Sequence, residues 1–292
     1  MADELPVATK GFRLQRHLDS LKSWSIYYAE DKKQKATVST GLTIEYVVTT
    51  KDVEGATEDE NVVLIMGFGN TKESWGLTMA DDTLALMDHV GFESAHIIGV
   101  SMGGMIALEL AANAPKRVRS LGLNVTTRGK YVQEEGKQDN SEMRKTMFSK
   151  DKDVIAAGVL KMLYPDAFLA QRMEDMDTTI REELYNFHRG RLDVAPKKYM
   201  RGVIGQVLAI RTHWVSDERL AAIGQAGFPV LIIGGGDDRL IPGSECKVIA
   251  DGMNASDRVK LIIMEDGGHG LLTQYVDEVI QEYLSNFQRA SL

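Results

Sequence analysis

The sequence predicts an α/β fold, a mostly parallel central sheet flanked by helices, with a helical insertion between two sheet strands. Three observations predict it. Short apolar runs alternate with stretches of helical spacing in the first half of the chain and again near its end. A block rich in Lys, Glu, Asp and Met, residues 127–215, interrupts that alternation. At 292 residues, 43% hydrophobic and 26% charged, the chain has the length and balance of a globular protein of one large α/β domain with a lid, or of two small domains.

The elements follow in order. Residues 1–34 are mixed and polar and carry no assignable role. Residues 35–49 read as two strands, KATVS and LTIEYVVT, turning at Thr40-Gly41. The continuous apolar run Asn61–Met66 reads as a strand buried on both faces, ended by Gly67-Phe68-Gly69-Asn70. Thr78–Val90 reads as a helix capped by Thr78. Asp81 and Asp82 fall in its first turn, and Ala80, Leu84 and Met87 form its inward face. Ala95–Val100 is a second buried strand, Met102–Asn113 a second helix and Val118–Val125 a third strand.

Within 127–215 the apolar spacing is helical, as in Ile155, Val159, Met162 and Leu163, then Val203, Val207 and Ile210. Methionine there reads as helix packing. Pro229–Ile233 (strand), Gly243–Met253 (helix), Val259–Met264 (strand) and Leu271–Phe287 (helix) close the chain. The implied organisation is an N-terminal extension over 1–34, a core over 35–126 and 216–292, and a helical cap over 127–215.

Composition narrows the function classes. A net charge of −8 without a basic block argues against nucleic acid or an anionic membrane as the main partner. Cys246 is the only cysteine, which excludes an internal disulfide and fits a reducing compartment. The first twenty residues hold no apolar core of signal-peptide length, and no run approaches a membrane span. A cytoplasmic protein without stable membrane insertion is the expectation. The six histidines are scattered and form no metal-ligand spacing, so neither a metal nor a cofactor is expected.

The chemistry centres on GVSMGG, residues 99–104, which follows an apolar strand and opens a helix. This is the setting of a nucleophile elbow, in which small neighbours relieve crowding around a strained serine. Ser101 is therefore the candidate nucleophile, and helix-start N–H groups face the oxyanion that would form. A serine hydroxyl needs a base, and the base needs a carboxylate to hold its tautomer. His269, in MEDGGHG after the last strand, is the candidate base. His17, His89, His96, His188 and His213 are weaker ones by position. Asp237 and Asp238, in GGGDDRLIP after VLII, are both candidates for the acid. The chain order Ser…Asp…His fits one of the three serine-hydrolase orders.

Taken together, VLIMGFGNTKESW, GVSMGG, GGGDDRLIP and GGHG resemble the α/β-hydrolase fold superfamily, in its lipase- and esterase-like branch, over roughly residues 37–289. The resemblance implies Ser101, Asp238 and His269 as a triad, Asp238 being chosen over Asp237 because the family's acid precedes the motif ending in Ile-Pro. It implies oxyanion donors at the backbone N–H groups of Phe68 and Met102, and a small apolar ester-like substrate cleaved without a cofactor. The family commonly has His-Gly where this chain has Met66-Gly67. It also carries a helix and a fourth strand between the oxyanion loop and the elbow, for which residues 68–93 leave no room beyond one helix. Such a deletion leaves the third and fifth family strands as direct neighbours, and the N-terminal hairpin must then cover the third strand or leave an open edge. The expected activity is a serine hydrolase acting through an acyl-enzyme. A ligand-binding protein with weakened turnover, and a cofactor-free perhydrolase or carbon–carbon hydrolase, are the alternatives on the same fold. The oligomeric state is open.

Overall fold

The computed structural model describes residues 34–48, 61–66, 76–130, 141–173, 177–194, 200–254 and 257–290. Its centre is a five-stranded sheet formed by β3 (Val62–Ile65), β4 (Ala95–Val100), β5 (Val118–Asn124), β6 (Val230–Gly235) and β7 (Val259–Met264). Every pairing is parallel and spatial order equals chain order, β3-β4-β5-β6-β7. The predicted α/β class with a parallel sheet flanked by helices is what the chain forms. β6 is buried throughout and β4 at all but its last residue, since both of their faces are covered, and His96 is the one polar residue in them.

Four crossovers run in one direction across the sheet. Right-handed connections place their helices on one face. These helices are α1 (Gly76–His89), α2 (Met102–Asn113), α8 (Asp217–Gln225) and α9 (Gly243–Met253). Successive members pack on one another, and their apolar residues join Ile97, Leu121, Leu123, Val230 and Ile232 in the largest core. The opposite face is covered by α10 (Leu271–Gln274) and α11 (Val276–Arg289), whose Leu271, Val279 and Tyr283 pack with Val125, Leu231 and Ile233.

Between β5 and α8, five helices lie among the described residues: α3 (Ser141–Phe148), α4 (Lys152–Leu163), α5 (Asp166–Leu169), α6 (Ile180–Val194) and α7 (Met200–Thr212). Leu160, Tyr164, Leu169, Met173, Ile180 and Leu184 form a separate small core among α4–α6, whereas Ala209, Ile210 and Val215 join the main core. The ends of the segment are tied together. Val215 N–H donates to the Arg128 carbonyl (2.9 Å), Arg128 Nε returns a bond to the Val215 carbonyl (2.8 Å), and Gly129 bridges Trp214.

Several expectations are corrected. β3 is not buried on both faces: Leu64 is 57% and Met66 53% exposed, because among the described residues β3 is an edge strand paired only with β4. The hairpin β1 (Gln34–Thr37) and β2 (Thr43–Tyr46) forms its own two-stranded sheet. It packs Ala36, Val38 and Ile44 on Ala85 and Leu86 of α1, and Thr40 donates to Asp82 (2.6 Å). It does not close on β3. Helix α1 already runs at Gly76, so Thr78 does not cap it and Asp81 and Asp82 lie beyond its first turn. The helical spacing read at Ile155, Val159, Met162 and Leu163 falls on α4, where these four are partly buried beside the buried Ala156, Gly158 and Leu160. The last helix is broken at Tyr275 into α10 and α11. Among the described residues no helix is long and apolar enough to cross a membrane. Residues 1–33 of the extension and the 67–75 stretch, where the deletion was expected, lie outside the described residues.

Candidate active site

Ser101 is the residue between β4 and α2, and its backbone has φ 57° and ψ −120°. A non-glycine residue there carries strain of roughly 1–3 kcal/mol, held only where the surroundings fix it. Those surroundings are visible. Ser101 N–H donates to the Asn124 carbonyl at the end of β5 (2.9 Å), and the Thr126 hydroxyl donates to the Ser101 carbonyl (2.7 Å). Two glycines make the turn sterically feasible. A Cβ on Gly99 would lie 2.3 Å from the Gly103 carbonyl oxygen, and one on Gly103 would lie 1.9 Å from the Ile65 carbonyl oxygen. The Gly-x-Ser-x-Gly spacing therefore states a packing requirement: the start of α2 sits against the end of β3.

His269 reaches the same place from the loop after β7. Its Nε2 is 3.0 Å from Ser101 Oγ and its Nδ1 is 2.8 Å from Asp238 Oδ2. Asp238 comes from the loop after β6, so the loops after β4, β6 and β7 deliver the three groups at the carboxyl end of the sheet. The Asp238 carboxylate is buried, and its other oxygen, Oδ1, accepts the N–H groups of Leu240 (2.8 Å) and Ile241 (2.9 Å). These bonds compensate a buried anion and fix its orientation. Asp237 is exposed and makes no side-chain bond to His269 among the described residues, so the geometry brings Asp238, not Asp237, to the imidazole.

Met102 is the first residue of α2 and is buried. Its N–H is one of the helix-start donors without an intrahelical partner. Phe68, the second expected donor, lies outside the described residues.

The other histidines are placed elsewhere. His96 is enclosed in β4, bonded through Nδ1 to Ser120 (2.8 Å) and stacked near Phe287, and burial lowers its pKa to about 4. His188, in α6, is lowered to about 4 by burial and by the nearby Arg191. His213 contacts Glu109, which also pairs with Arg219. His89 meets Tyr46 edge-on. His17 lies outside the described residues.

Residues that sequence reasoning missed support the His269 loop. The Gln274 side chain accepts from Gly268 N–H (2.8 Å) and donates to the Asp266 carbonyl (3.1 Å). Gly270 N–H donates to the Leu163 carbonyl at the end of α4 (2.7 Å), and a Cβ on Gly270 would collide with the Tyr164 ring. Thr126 and Gln274 carry no motif, and their roles emerge only from backbone partners, distant for Thr126 and within the same loop for Gln274. The glycines around His269 were the one available signal.

The family described as alpha/beta hydrolase fold matches residues 65–274. Among curated proteins, the chain is 25% identical over 217 residues to the dihydrolipoyllysine-residue acetyltransferase component of the acetoin cleaving system of Pseudomonas putida. That match covers 71% of this chain and 49% of the relative, so the chain spans about half the relative's length. It is also 25% identical over 194 residues to "Putative carbamate hydrolase RutD" of Agrobacterium fabrum, covering 66% of this chain and 67% of that one. Among solved structures, the enol-lactonase from Burkholderia xenovorans LB400 superposes with a TM-score of 0.66 at 17% identity, over 87% of this chain and 100% of that one. The family match spans most of the chain and includes all three converging residues. This chain belongs to the alpha/beta hydrolase fold family.

Proposed function

We propose that this protein is a serine hydrolase that cleaves an ester or a related acyl bond through an acyl-enzyme. The observation that carries the reading is the unbroken hydrogen-bond chain Ser101 Oγ–His269–Asp238, at 3.0 and 2.8 Å, ending on a serine held at positive φ. In this mechanism His269 carries its proton on Nδ1, bonded to Asp238, and Nε2 accepts the proton of the Ser101 hydroxyl as Oγ attacks the substrate carbonyl carbon. Asp238 holds the tautomer and stabilises the imidazolium that forms. The Met102 N–H, with a second donor assigned to Phe68 by family resemblance, stabilises the oxyanion. The imidazolium then gives its proton to the leaving group, and water attacks the acyl-enzyme by the same route.

Similarity to proteins named as a carbamate hydrolase and an enol-lactonase favours a substrate with an sp² carbonyl carbon bonded to oxygen or nitrogen. The small separate core of α4–α6 and the contact of α4 with the His269 loop support a cap over the site. The test is a panel of activated esters of increasing acyl length, assayed with wild type and Ser101→Ala. The expected result is a burst followed by steady turnover in wild type and neither in the variant. Binding of these esters without turnover in wild type would instead mark a ligand-binding protein.

A further inference from the structure

His269 has a glycine on each side, and backbone conformation requires neither. Gly270 sits at φ −86°, and Gly268 is not among the residues at positive φ. What both supply is room for a close approach. A Cβ on Gly268 would lie 2.5 Å from the Leu163 carbonyl oxygen and 2.7 Å from Pro165 Cδ, and one on Gly270 would overlap the Tyr164 ring. Leu163, Tyr164 and Pro165 form the corner between α4 and α5 of the inserted segment. The candidate base is therefore held on both sides by one corner of the cap.

The same corner is hydrogen-bonded to both catalytic loops. A helix leaves its last four carbonyls without intrahelical partners. In α4 two of these are satisfied from the core. The Lys161 carbonyl accepts from Arg239 Nη1 (3.2 Å), and the Leu163 carbonyl accepts from Gly270 N–H (2.7 Å). Arg239 directly follows Asp238, and its Nη2 meets Asp166 at 3.0 Å. Asp166 is 66% exposed, so that ion pair adds little. Tyr164 is the opposite case. It is 3% exposed, belongs to the small cap core and lies against the His269 loop. Its hydroxyl is 3.4 Å from Thr273 Oγ1 and 3.5 Å from His188 Nε2, long for hydrogen bonds, so the ring rather than the hydroxyl carries the contact.

We propose that Tyr164 is a positioning residue for His269: its buried ring, seated against Gly270, holds the imidazole in line between Ser101 and Asp238. This inference rests on the serine-hydrolase reading of the same site. An imidazole that must keep two hydrogen bonds, at 2.8 and 3.0 Å, tolerates little displacement, and about 1 Å of misplacement costs on the order of 10²-fold in rate. Without the ring, Gly270 faces a void into which its loop can relax. Undocking of the corner removes the ring in the same way. The cap thus does more than cover the site: the base is aligned only while the α4–α5 corner is seated on it.

The test is the rate at which a fluorophosphonate labels Ser101 in the full chain, followed to completion so that the fraction of competent sites is known. Circular dichroism checks folding. Tyr164→Leu is expected to label about tenfold or more slowly than wild type, to the same final stoichiometry, with Tyr164→Phe within about threefold of wild type. In a His269→Ala background, Tyr164→Leu should change the rate by less than about twofold, because the residue acts through the imidazole. Equal slowing in the two backgrounds overturns the proposal, since it marks a change in access or packing. So does an unchanged rate in Tyr164→Leu, or a loss in Tyr164→Phe as large as that in Tyr164→Leu. If Tyr164→Leu does not fold, Tyr164→Met replaces it, with the same expected and overturning results. No labelling of folded wild type removes the serine-hydrolase reading and this inference with it. Labelling of wild type together with any of the overturning results removes this inference alone.

Discussion

The hydroxyl of Thr126 donates to the carbonyl of Ser101 at 2.7 Å, from a side chain that is itself fully buried beyond the end of β5. It holds the peptide that must stay strained for Ser101 to face His269. Replacing Thr126 with Val keeps the shape and removes the donor. The expected loss is about 1 kcal/mol of stability, the usual worth of one such bond, and a melting temperature lower by about 2–4 °C. A fall in kcat of about tenfold with KM nearly unchanged is expected if the peptide relaxes. Thermal melts and steady-state kinetics check both.

Asp237 and Asp238 are adjacent in sequence and opposite in environment. Asp238→Asn removes the charge that stabilises the imidazolium and allows the wrong tautomer, so kcat should fall by about 10⁴-fold. Asp237→Asn, at an exposed position, should change kcat less than about threefold. Parallel kinetics of the two variants decide the matter.

Much of the site was legible in the sequence because its chemistry needs fixed residue types at fixed places. The glycines flanking Ser101 are dictated by contacts of about 2 Å, the aspartate by a loop whose N–H groups it caps, and the histidine by its place after the last strand. The ends of β4, α2, α9 and β7 were legible too, since apolar runs stop at glycine, serine, asparagine or loop residues there. What failed was long-range. The run Val62–Ile65 is apolar at every position, and nothing local says that its alternate residues differ in burial, with Val62 and Leu64 exposed and Val63 and Ile65 packed against the main core. The break at Tyr275 falls where neither a proline nor a side-chain cap marks it. Thr126 and Gln274 act on backbone atoms far away in sequence or hidden in a turn, and no spacing encodes that.

Two histidines, His96 buried and His188 partly buried, are expected to make the fold acid-sensitive. His96 and His188 are each depressed to about 4, below the ordinary value of 6.5. Between these values the unfolded chain binds protons that the native chain refuses, so stability rises with pH through this window. The contribution is fully present above about 6.5 and is lost progressively as pH falls towards 4. The total is on the order of a few kcal/mol. Urea melts should show lower midpoints at pH 5 than at pH 7, and His96→Gln, which can still bond Ser120, should narrow that difference.

Gly103 is the tightest position of the elbow. Gly103→Ala places a methyl group within 2 Å of the Ile65 carbonyl oxygen, backbone that cannot yield like a flexible side chain. Destabilisation of at least about 3 kcal/mol, the upper range for overpacking, is expected, with loss of activity in any folded fraction. Chemical denaturation of the variant measures it.

The most direct measurement is covalent labelling with a fluorophosphonate, followed by peptide mass analysis. The expected result is a single adduct on the peptide containing Ser101, absent in Ser101→Ala and strongly slowed in an otherwise folded His269→Ala variant. No adduct on folded wild type, or equal labelling of Ser101→Ala, would contradict the claim that Ser101 is the nucleophile.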